Sequence, residues 1–156
     1  SGNYDLWKVP VDGAGHAACY QSTPAQERGA ALSPDDHWLV YSADEGDSRS
    51  VYVQSFPEPG TKYQITVADA AGATWTHDGA AILVITRSQD LLRIPVTLTG
   101  GFRQGATTHL FTLPMTDFLT DIQVGERRFL TSSLIDLSAS TQLELVFDWT
   151  RLLGTQ

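Results

Sequence analysis

An eleven-residue phrase recurs along this chain at a nearly fixed interval, and that recurrence constrains the fold more than any other feature. ALSPDDHWLVY (Ala31 to Tyr41) parallels TWTHDGAAILV (Thr74 to Val84), and DIQVGERRFLT (Asp121 to Thr131) is a weaker third copy. With Asp35, Asp78 and Gly125 taken as equivalent points, the spacings are 43 and 47 residues. A period of roughly 40–50 residues suits one small supersecondary unit that buries its faces only by stacking on its neighbours.

The unit reads as strands. Helical periodicity is poor, and short runs rich in Val, Ile, Leu, Tyr and Trp are bounded by Gly, Pro, Asp or Ser. Such runs are Trp38 to Tyr41, Val51 to Val53, Ile82 to Ile85 and Leu143 to Phe147. Ile82-Leu83-Val84-Ile85 is apolar at every position, which predicts a strand covered on both faces. Each repeated phrase predicts a hairpin. Asp78-Gly79 suits its turn, because Gly accepts positive φ and the Asp side chain can cap nearby N–H groups. Asp35-Asp36 fills the same place in the first copy, where Asp tolerates left-handed geometry, and Pro34 fixes the entry.

A second strand pair follows each hairpin: Ser50 to Phe56 with Lys62 to Thr66, and Leu91 to Val96 with Thr108 to Phe111. The opening stretch Asp5 to Val11 looks like this second half alone, its Val9-Pro10-Val11 matching Ile94-Pro95-Val96. The expected fold is therefore all-β: a partial β-propeller of about three to four four-stranded antiparallel blades. Residues 1–28 are read as the second half of a blade, 29–70 and 71–116 as full blades, and 117–156 as an incomplete last blade. Propellers usually close with ~4–8 blades. A chain of about three and a half repeats would leave open sheet edges, so it would be part of a larger ring or associate with copies of itself.

SPDD-HWLVY, VYVQSFPEPGTKYQIT and the closing LVFDWT resemble the WD-like propeller repeats of the TolB family. More closely, they resemble the C-terminal blades of propellers attached to bacterial receptor-type serine/threonine kinases. In that family a Ser-Pro-Asp-Gly turn precedes an inner strand and an Asn-Trp-Thr strand ends the domain. Ser33 to Asp36 and Asp148-Trp149-Thr150 hold those places here, and Gly125-Glu126 departs from the turn pattern. The resemblance implies a periplasmic or otherwise extracytoplasmic binding module, a sensor or scaffold, with no catalytic residue and no cofactor. It also leaves two rivals: the gating propeller of a prolyl-oligopeptidase-type serine hydrolase, and a purely structural, self-assembling module.

Charge narrows the partners. The chain of 156 residues carries a net charge of −8, which repels phosphate backbones and anionic membrane surfaces. No apolar run approaches the ~20 residues of a membrane-spanning helix. The expected partner is a protein or small ligand, recognised by blade-edge loops.

The chemistry-bearing residues are each better explained without chemistry. His16, His37, His77 and His109 show no zinc-ligand spacing. His37 and His77 read as turn residues one position apart in repeat register. Asp44-Glu45-Gly46-Asp47 has oxygen ligands but not the order of a calcium loop, so a solvated hairpin turn is expected. Asp35 and Asp36 could pair for acid–base work on a sugar, but their repeat position favours a turn. An Asp-box needs Gly where His37 and Ala80 stand. No Gly-x-Ser-x-Gly elbow is present, and Gly100-Gly101 reads as a simple turn. Trp7, Trp38, Trp75 and Trp149 could form a sugar platform, though core packing is the better reading for those in strand patterns. Cys19, the one cysteine, is expected to be a buried or half-buried thiol.

Overall fold

The computed structural model describes residues 3–12, 15–45 and 48–113, together with the backbone of 122–124 and 129–131. No helix occurs among the described residues, and every strand pairs antiparallel. Strands β1 (Leu6–Lys8) and β2 (Ala18–Gln21) form a two-stranded sheet. A four-stranded meander follows, made of β3 (Gln26–Leu32), β4 (Trp38–Glu45), β5 (Ser48–Ser55) and β6 (Tyr63–Ile65). The next sheet holds β7 (Ala70–Trp75), β8 (Ala81–Thr86) and β9 (Asp90–Thr97), with β10 (Arg103–Gln104) and β11 (Thr108–Thr112) both on the outer side of β9. Strands β12 (Ile122–Val124) and β13 (Phe129–Thr131) form a further hairpin.

The two repeated turns are copies bond for bond. Ser33 Oγ and Thr76 Oγ1 each accept from the backbone N–H five residues on (Trp38, 2.9 Å; Ala81, 3.0 Å). Each hydroxyl donates to the Asp two residues on, at 2.5 Å to Asp35 Oδ1 and 2.6 Å to Asp78 Oδ1. Those carboxylates accept from the N–H of His37 (3.2 Å) and Ala80 (3.0 Å). The left-handed position is Asp36 (φ 57°) in one turn and Gly79 (φ 66°) in the other. The hydroxyl's hydrogen bond, then the backbone one, holds both carboxyls below the usual range.

This register corrects the histidine reading: His37 matches Ala80 and His77 matches Pro34, three positions apart rather than one. In the third copy Val124 pairs with Phe129 as Ser33 does with Trp38, and Gly125 lies outside the described residues.

The sheets stack face to face in a repeating register. Alternation along β4 sends Leu39 and Tyr41 toward the preceding sheet, where they pack with Tyr20 and Leu6. The equivalent Ile82 and Val84 of β8 pack back on Val40, Val51, Val53 and Ile65 of the four-stranded sheet. Leu83 and Ile85 point the other way, with Leu91, Leu110 and Phe111. Strand β8 is buried at all six positions, as its unbroken apolar run predicts.

Two departures from regular sheet matter for the site. Both β3 and β7 carry an irregularity at a glycine, Gly29 and Gly72, 43 residues apart. In β3 the extra residue switches the alternation, so Glu27, opposite Ala43, and Ala31, opposite Val40, face opposite sides. The last sheet also departs from four strands. Pro95 lacks an N–H toward its outer neighbour, and the outer strand breaks there into β10 and β11, with Gly105 N–H donating to Pro95 O at 2.7 Å.

Candidate functional site

Where the β1–β2 sheet meets the four-stranded sheet, the interface is aromatic and polar. Tyr20, Tyr41, Tyr52 and Phe56 pack there, with Tyr41 and Tyr52 ring centroids 5.9 Å apart and Tyr20 and Phe56 5.7 Å apart. Tyr20 O–H donates to Ser55 O at 2.5 Å, and Tyr41 O–H to Gln54 Oε1 at 3.3 Å. Burial, followed by the nearby Glu58 charge, pushes the Tyr20 phenol up to about 12. Burial foremost, with Tyr20, Glu27, Tyr52 and Glu45 around it, raises Tyr41 further still.

Glu27 belongs to this interface because the Gly29 irregularity turns it inward. It is 1 % exposed. Its Oε1 accepts from Thr23 Oγ1, while Oε2 is buried without a hydrogen-bond partner. At the equivalent place in the next repeat stands Ala70, in a dry aliphatic core.

The interface ends in an open cleft of about 370 Å³ lined by Thr23, Pro24, Ala25, Asp44, Glu45 and Lys62. One wall is the β2–β3 connection. Asn3 Nδ2 holds it by donating to Thr23 O (2.9 Å) and Ala25 O (2.7 Å), and Ala25 N–H donates to Thr23 Oγ1 at 3.1 Å. The other wall is charged. Lys62 Nζ stands 3.6 Å from the Tyr52 ring centroid and 6.0 Å from that of Tyr41, and donates to Glu45 Oε1 at 3.4 Å. Tyr52 O–H donates to the same Glu45 oxygen at 3.0 Å. An ammonium over phenol faces, neutralised by a carboxylate, is a cation–π site occupied by the chain's own side chain.

Asp44 and Glu45, expected in one solvated turn, close β4 instead and take different partners. Asp44 holds Arg49 by two bonds, 2.6 and 3.1 Å, with Arg28 at 3.6 Å. The Arg49 bonds keep the Asp44 carboxyl below its usual range. Gly46 and Asp47 lie outside the described residues.

The other sequence candidates lie apart. His16 is in the loop before β2, His37 and His77 are in the two repeat turns, and His109 is on β11. Asp35 is tied into its turn, and Asp36 holds the left-handed position beside it. Trp75 is core and donates from Nε1 to Ala31 O at 3.2 Å. Trp38 packs between Tyr63 and Phe102, both at 6.4 Å. Trp7 is 60 % exposed, and Trp149 lies outside the described residues. Cys19 corrects the expectation of a buried thiol. It pairs with Trp7 across β1–β2 and is exposed, because the buried side of β2 belongs to Tyr20.

One constellation was not foreseen. Thr112 Oγ1 donates to Asp90 Oδ1 at 2.5 Å, and His109 Nε2 lies 3.1 Å from that oxygen and 3.2 Å from Thr112 Oγ1. These are the residue types of a nucleophilic triad without its geometry. A relay sets the imidazole between acid and hydroxyl through its two nitrogens. Here acid and hydroxyl bond each other directly and share a single ring nitrogen, so the group knots β9 to β11.

No protein-family model matches the chain, and no curated protein matches it.

Proposed function

We propose that this chain is a stretch of TolB-like β-propeller blades serving as a non-catalytic binding or interaction module in an extracytoplasmic sensor or scaffold. The observation that carries the reading is the recurrence of one turn network 43 residues apart, in sheets that present equivalent positions, 39 and 41 then 82 and 84, to the sheet before. A unit copied in sequence, hydrogen bonding and packing direction is built to be stacked, as blades are. The chemistry agrees with binding: the cleft offers acids, an ammonium and phenol faces, and the Thr-His-Asp group is tied up in its own bonds. Nucleic acid is disfavoured by the net charge of −8.

The test is a structure of the whole parent protein, in which successive sheets radiate about one axis. A closed two-layer sandwich would refute the blade reading. Assays with peptide, ester and glycoside substrates test the module reading, and turnover abolished by Thr112→Val would refute it.

A second reading, self-association, is favoured by one observation. The side of the β1 segment turned away from the core exposes Trp7 (60 %), Val9 (66 %) and Val11 (107 %). Light scattering on the wild type and on Trp7→Ser/Val9→Ser separates dimer from monomer.

A further inference from the structure

We draw no further inference here: the strongest candidate, the apolar face that Trp7, Val9 and Val11 turn outward from the β1 segment, carries none, because nothing in the structure shows what covers it.

Discussion

Two interfaces between neighbouring sheets use equivalent positions and opposite chemistry. Between the four-stranded and five-stranded sheets the contact is dry: Val40, Val51, Val53, Ile65, Ala70, Ile82, Val84 and Ile94, capped by Trp75 and Phe102. Between the β1–β2 sheet and the four-stranded sheet, Tyr41 replaces Val84, Leu39 replaces Ile82, and Glu27 replaces Ala70. The first contact maximises apolar burial, worth roughly 25 cal/mol per Å². The second keeps hydroxyls and a carboxylate that an all-aliphatic contact would not need. The same positions that are packed with Val and Ala in one interface are filled with Tyr and Glu in the other, at the expense of apolar burial.

The contrast can be broken first by truncation. Ile82→Ala, in the dry interface, should cost roughly 3 kcal/mol, and Tyr41→Phe, in the polar one, about 1 kcal/mol. Urea denaturation measures both, and equal costs would erase the distinction. High pH should act on the tyrosine interface alone. Tyr20 ionises at about 12 in the fold against an ordinary 10. Its contribution is therefore intact below pH 10 and is lost as pH climbs toward 12, a decline of roughly 2 kcal/mol. Melting curves from pH 8 to 12 should show that decline, and Tyr20→Phe should lessen it, leaving the part that Tyr41 and Tyr52 carry.

Replacing the acid sharpens the comparison from the other side. Glu27→Met gives this interface the apolar character of its neighbour and should raise stability by about 1 kcal/mol. A fall of that size would make Glu27 a structural residue. The turns provide a further pair of tests, the second of them the smallest effect. Gly79→Ala puts a Cβ at φ 66°, 3.4 Å from Pro34 Cδ of the other turn, and should cost about 1–2 kcal/mol. Asp36→Gly relieves the same strain and should gain a few tenths of a kcal/mol at most, since the unfolded chain also gains freedom.

Among the described residues the repeated turns and the strands were legible because each is written locally, while Leu143 to Phe147 lies outside them. Period-two and all-apolar runs define strands, and Asp with Gly or Asp defines the turn. The sheet stacking followed from Ile82 to Ile85, whose unbroken apolar run has no solvent side. The candidate site was not legible in the same way. Glu27 sits in Gln26-Glu27-Arg28, a polar triplet that reads as a solvated edge, and only the extra residue at Gly29 turns it inward. The match of Gly29 with Gly72, 43 residues on, was the available signal. Lys62 and Glu45 are 17 residues apart and meet only because β6 lies beside β5 in the sheet, so no local pattern could pair them. Cys19 was misjudged because residue type favours burial, while its parity opposite Tyr20 put it outside.

The interruption at Pro95 bears on what the rim of the last sheet offers to another extended chain. Two short offset segments, β10 and β11, offer a passing polypeptide no long row of free amides and carbonyls to zip onto. A single ring nitrogen without a proton thus divides the rim into two short pieces.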